Sequence, residues 1–202
     1  MKLYYTPGAC SQAPHIALNE AGLQFDPVLV DLRAKKLPGG DDYFAVNPKG
    51  SVPALGLDDG EVLTENAAIL QFIGDQAPAS GLLPQLGDFR RYRAIEWLNY
   101  IATELHKGFG PLWNPSSTPE AKDGARDLLA KKFDYVQQRL GDGPYLLGGA
   151  FTAPDAYLFV VLGWTRIHQI DLSRWPGLVA YVSRVSERPA VQATLQKEGL
   201  AQ

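Results

Sequence analysis

A proline fixes its own φ and drives the residue before it into extended backbone. Between Asn47 and Asn66 the chain reads NPKGSVPALGLDDGEVLTEN, and that restriction falls on Val52. It predicts an extended Val52 leading a strand over Pro53–Leu57. Asp59-Gly60 then reads as a turn between apolar runs, and Glu61–Thr64 as the returning strand. The apolar spacing from Ala67 to about Gln76 predicts a helix, with Asn66 as its N-cap. A proline-led hairpin thus delivers the chain to a helix start. The extended edge at Val52 suits a peptide-like ligand added as a strand. The unpaired amides around Asn66 suit a carboxylate.

The residues before this stretch supply the rest of a small fold. Lys2–Tyr5 reads as a strand, Thr6-Pro7-Gly8 as a turn, and a helix follows to about Ala21, stopped by Gly22. Pro14 is tolerated only in the first helical turn, where no hydrogen bond is lost. The helix is therefore expected to start near Cys10 or Ser11, with Ser11 as its cap. A cysteine at a helix N-terminus is favoured as thiolate by the helix dipole. Phe25–Leu29 completes a β-α-β unit, whose crossover is right-handed and whose strands are parallel. Asp31–Gly40 is a polar loop carrying Lys35 and Lys36, and Asp41–Val46 a short helix. The order β-α-β, then β-β-α, is thioredoxin-like.

Gln76–Gly87 holds Pro78, Ser80, Gly81, Pro84 and Gly87 and reads as a linker. Everything after it has helical periodicity. The expected architecture is an α/β thioredoxin-like domain over 1–78 and an all-α domain over 87–202. A helix is predicted from Phe89 to about Lys107, broken at Gly108–Pro111. Another begins at Thr118-Pro119, with proline at its first position, and ends near Leu140. Thr152 and Asp155 form a capping-box variant before a very apolar helix reaching about His168. Two last helices span about Trp175–Glu187 and Pro189–Lys197.

Composition narrows the partners. A net charge of −3 over 202 residues gives no electrostatic footprint for nucleic acid or an anionic membrane. One cysteine excludes an intrachain disulfide framework and argues against a cysteine-based zinc site, and no metal is expected. That usage fits a reducing cytoplasm. The start is too short and polar for a signal core, and no apolar run approaches the roughly 20 residues of a membrane helix.

Asn47-Pro-Lys-Gly-x-Val-Pro-x-Leu, followed by Thr64-Glu65-x-x-Ala68-Ile69, resembles the glutathione-binding half of the glutathione S-transferases. The opening MKLYYTPGACS resembles their bacterial beta class, and the likeness runs through essentially the whole chain. It implies a cis proline at Pro53, glutathione as co-substrate, and a cytoplasmic homodimer that detoxifies hydrophobic electrophiles. Residue by residue, it implies that Lys35 pairs with the glycine carboxylate of glutathione. Glu65 binds the γ-glutamyl ammonium, the backbone at Asn66 holds the adjacent carboxylate, and the Val52 main chain pairs with the cysteinyl residue. Many family members have serine at the position of Asn66. Asn99 and Thr103 match positions that help complete the site. His106 is expected to point from the helical domain toward Cys10, with Lys107 adding positive charge. Together these would stabilise a Cys10 thiolate that exchanges with glutathione disulfides. Phe109, Trp113 and Trp164 are assigned to the acceptor pocket, with core packing as the other reading of those aromatics. His168 is expected to line that pocket, and His15 to be structural. Tyr5 resembles the activating tyrosine of other classes and is not assigned that role.

Two classes of function compete. One is an enzyme that turns the glutathione thiol on electrophiles, with disulfide reduction and reductive dehalogenation as variants. The other is a non-catalytic transferase-like interaction module, since fold does not fix function. Retention of Cys10, Lys35, Val52-Pro53, Glu65 and His106 favours the enzyme. A dithiol oxidoreductase is excluded, because Cys-x-x-Cys needs a second cysteine.

Overall fold

The computed structural model describes residues 1–201. Strands β1 (Lys2–Tyr5), β2 (Asp26–Leu29), β3 (Ala54–Gly56) and β4 (Val62–Thr64) form one sheet in the order β2-β1-β3-β4. β1 pairs parallel with β2 and antiparallel with β3, and β3 pairs antiparallel with β4. Helix α1 (Gln12–Glu20) makes the crossover between β1 and β2, and α2 (Asn66–Gln76) follows the hairpin. This is the predicted thioredoxin-like order. From Phe89 onward the named elements are all helices, and the β pairing among the described residues there is an isolated bridge between Tyr145 and Gly148. The helices are α3 (Phe89–Tyr100), α4 (Gly110–Trp113), α5 (Pro119–Leu140), α6 (Ala153–Ile167), α7 (Pro176–Ser186) and α8 (Pro189–Lys197). No helix among the described residues is long and apolar enough to cross a membrane.

Local signals set most boundaries. Thr118 accepts from the amide of Ala121, and Pro119 opens α5. Asp155 accepts from the Thr152 amide at 2.9 Å, the reciprocal half of a capping box, and starts α6. Leu158, Val161 and Leu162 of α6 are fully buried. Burying each such side chain contributes roughly 1.5–3 kcal/mol. Pro14 lies in the first turn of α1, as its missing amide requires.

Several local expectations are corrected. α1 begins at Gln12, after a turn through Cys10 and Ser11; Ser11 holds the N-cap position as expected, but its side chain makes no capping hydrogen bond. Its Oγ instead bonds the backbone of Thr6, accepting from the amide at 3.1 Å and donating to the carbonyl at 3.3 Å. Asn66 is the first residue of α2, so Glu65 holds the capping position, with φ 77°. Val52 lies outside the sheet, its side chain buried. The helix predicted over Phe89–Lys107 does not run uniformly: after Tyr100 it widens into a π-helical turn over Ile101–His106.

The two halves are tied at the base of the site. α1 is buried against α2, α6 and α8, sharing one core with Leu3, Tyr5 and Leu55 of the sheet. Trp164 of α6 donates its Nε1–H to the carbonyl of Gly8 at 2.9 Å. Glu198, just past α8, is bonded to the Gly8 amide at 3.0 Å, Gln12 Nε2 at 2.9 Å and His15 Nδ1 at 2.8 Å. His15 is thus structural, as expected. Arg188 pairs with Glu20, and Arg91 with Asp75.

Candidate functional site

A cavity of about 920 Å³ opens where the sheet's hairpin, the turn before α1 and the helices meet. It gathers Cys10, Lys35, Val52, Glu65, Asn66 and His106 from segments far apart in sequence. Trp113 and Trp164 line its other side.

The hairpin half is shaped by Val52-Pro53, whose peptide bond is cis. The turn below it is held from three sides. Tyr43 donates its hydroxyl to the Ser51 carbonyl at 2.8 Å, and Asn47 donates to the same carbonyl at 2.7 Å. Lys35 donates Nζ to the Gly50 carbonyl at 2.6 Å. So Lys35 is not a free surface cation, and the loop presents its charge at the cavity. Lys35 and Glu65 both have positive φ. Non-glycine residues adopt that conformation rarely, and such strain clusters at functional sites. Glu65 pairs with Lys49 at 2.5 Å, placing a second cation at the rim.

Cys10 sits against this wall. Its Sγ–H donates to the Val52 carbonyl at 3.2 Å. Asn66 donates Nδ2 to the Cys10 carbonyl at 2.9 Å, linking the two segments. Burial pushes the Cys10 thiol up to about 12, against weaker downward pulls from the amides of Cys10 and Ser11 and from Lys107. The predicted thiolate is therefore corrected to a neutral thiol. Position ahead of a helix favours the anion, but desolvation outweighs it.

His106 lines the same cavity as Cys10. Its Nδ1 is hydrogen-bonded to the hydroxyl of Tyr157 at 2.7 Å, and its ring packs edge-on to Trp164 at 4.8 Å. Burial, then the charge of Lys107, lowers its pKa to about 4. It is neutral at pH 7, so its ring adds no positive charge beside Cys10. Lys107 carries the charge there and also lines the cavity.

Phe109 is 0% exposed and does not line the cavity: it packs on Phe133 and Trp164 as core. Trp113 is 47% exposed and packs edge-on against Trp164 and His168. His168 backs Trp113 without lining the cavity. Asn99 and Thr103 are exposed and lie outside the cavity. Asn99 donates to the Ile95 carbonyl and Thr103 to the Asn99 carbonyl. Tyr5 is buried beneath the site.

Sequence reasoning passed over Lys49, Tyr157 and Leu200, all of which line the cavity. Lys49 stands inside the motif already singled out. Tyr157 is one aromatic among many on an apolar helix, and no local signal marks it.

The donor set fits glutathione, a tripeptide with two carboxylates, one ammonium and one thiol. Lys35 and Lys49 offer cations, Glu65 an acid, the start of α2 its unpaired amides, and Val52 its backbone. Asn66, 6% exposed, keeps Oδ1 buried without a partner, an acceptor suited to a ligand N–H.

Comparison with known proteins agrees. Residues 8–76 match the model of the glutathione S-transferase N-terminal domain, and residues 100–189 that of the C-terminal domain. The chain belongs to the glutathione S-transferase family, and it is a glutathione transferase. It is 52% identical over 200 residues to glutathione S-transferase GstA of Escherichia coli O157:H7, covering 99% of this chain and 100% of the relative. A beta-class transferase from Sphingomonas chungbukensis superposes with TM-score 0.96 at 48% identity, covering all of both chains. A sphingomonad transferase solved with glutathione gives TM-score 0.96 at 47% identity, again over both full chains. The particular kind of transferase is thus the bacterial beta class.

Proposed function

We propose that residues 1–78 bind glutathione and residues 87–202 supply the wall that receives a hydrophobic electrophile. The observation that carries this reading is the convergence of Cys10, the Val52 backbone and the start of α2 opposite Trp113 and Trp164, across one cavity. Lys35 takes the glycine carboxylate, Glu65 the γ-glutamyl ammonium, and the α2 amides at Asn66 the adjacent carboxylate. The Val52 main chain aligns the cysteinyl residue as an added strand. Cys10, as a neutral thiol, donates a hydrogen bond to the glutathione thiolate, which raises the nucleophile fraction at neutral pH. His106, a neutral ring beside Lys107, bounds the sulfur's side of the cavity. Trp113 and Trp164 pack on an apolar, preferentially aromatic acceptor.

Asn99 and Thr103 bond only to their own helix on an exposed face. This supports a homodimer in which that face meets a second copy beside the site. The single cysteine supports a reducing compartment, the cytoplasm, and the likeness to glutathione transferases supports a role in detoxification. Calorimetric titration with glutathione, followed by haloaromatics, peroxides and mixed disulfides as co-substrates, tests the reading. Saturable glutathione binding with turnover of haloaromatics is expected. No binding at millimolar glutathione would sink it in favour of an interaction module. Sedimentation showing only monomer at micromolar concentration would remove the dimer.

A further inference from the structure

The π-helical turn over Ile101–His106 is the one irregularity in the helix that carries His106. Such turns occupy well under 1% of residues and concentrate at functional sites. Each adds a residue to a helical turn, and one residue is about 100° of rotation. The chain on both sides of this turn is fixed. Trp97 and Leu98 are buried before it, and Leu105 and Phe109 are buried within and after it. Gly108 is pressed against α5: a Cβ there would lie 2.9 Å from Leu129 Cδ2. The extra residue must therefore be absorbed between these anchors.

One side chain from another helix grips the turn itself. Lys132 of α5 donates Nζ to the Glu104 carbonyl at 2.8 Å and pairs with the Glu104 carboxylate at 2.9 Å. Its side chain is only 14% exposed. Glu104 and His106 are two positions apart, which puts them on roughly opposite sides of a helix. Holding Glu104 against α5 thus turns His106 toward Tyr157 and the cavity. A cation also suits the carbonyls near the end of this helix.

We propose that Lys132 is a positioning residue that pins the wide turn at Glu104 and so keeps His106 facing into the glutathione cavity. The inference rests on the proposed place of His106 in that site. Without Lys132 the extra residue stays between the anchors but the turn is no longer held at Glu104, and His106 rotates away from Tyr157 and Trp164 toward solvent.

NMR of the imidazole signals in the full-length protein tests this, with His15 and His168 as internal references and His106 assigned by its loss in His106→Gln. In the parent, His106 stays neutral between pH 5 and 8. In Lys132→Met it is expected to titrate in that window, near the ordinary value of about 6.5. Lys132→Arg, which keeps a donor cation, is expected to restore the parent behaviour. The glutathione Kd should rise about tenfold in Lys132→Met and recover in Lys132→Arg. If Lys132→Met fails to fold, Lys132→Gln is read in the same way. An unchanged His106 titration in the folded variant overturns the proposal. If His106→Gln leaves glutathione affinity unchanged, the place of His106 in the binding site fails instead, and the titration still decides what Lys132 does.

Discussion

The thiol of Cys10 is hydrogen-bonded to the carbonyl of Val52 at 3.2 Å, joining the turn before α1 to the residue preceding the cis proline. In this setting Cys10 holds its proton, with its pKa pushed up to about 12 by burial. Alkylation by iodoacetamide at pH 7 should then be at least about tenfold slower than for an unperturbed thiol of pKa about 8.5. Cys10→Ser, which still donates, should keep more conjugating activity than Cys10→Ala. Rapid stoichiometric alkylation, visible by intact-protein mass spectrometry, would show a thiolate and refute the donor role.

Lys35 presents its charge to the cavity while its Nζ bonds the Gly50 carbonyl. Lys35→Ala should weaken glutathione binding by about 1.5–3 kcal/mol, the range for hydrogen bonds to charged groups. Calorimetry provides the check, and an unchanged Kd would mean the glycine carboxylate lies elsewhere.

His106 gives stability a pH dependence. Its folded pKa, about 4, lies below the unfolded value of about 6.5. Between those values the unfolded chain binds more protons, so stability rises with pH across that window and falls on acidification. Urea midpoints measured from pH 4.5 to 7 should follow this slope. In His106→Gln the slope should be shallower, and equal slopes in the two proteins would contradict the burial of the ring.

Asp155 is 0% exposed and accepts from the amides of Leu146 and Thr152 and from the hydroxyls of Thr152 and Tyr181. Asp155→Ala strands all of these donors in the interior. The expected loss is at least about 3 kcal/mol, since each unsatisfied group costs about 1–3 kcal/mol. Chemical denaturation measures it, and a loss below about 1 kcal/mol would mean that water replaces the carboxylate.

Much of the fold is legible in single residues and their near neighbours. Val52-Pro53 and Asp59-Gly60 mark the hairpin, Pro14 confines the start of α1, and Thr118-Pro119 and Thr152/Asp155 open α5 and α6 within a residue of where they lie. These signals act through φ restriction, missing amides and caps, all of which operate over a few residues. The cavity's roster, Cys10, Lys35, Val52, Glu65, Asn66 and His106, was likewise readable from motif resemblance. What the motif did not carry was the state of those groups. Cys10 and His106 are neutral because residues more than 40 positions away remove water from them, and desolvation outweighs a helix dipole or a neighbouring lysine. Phe109 packs into the core against Phe133 and Trp164, while Trp113 lines the cavity. Apolar periodicity cannot tell a core aromatic from one lining a pocket, since both are shielded by the same helix face. Sequence determined which elements form and the motif residues at the heart of the site; packing between distant segments decided their protonation, their orientation and which other residues line the cavity.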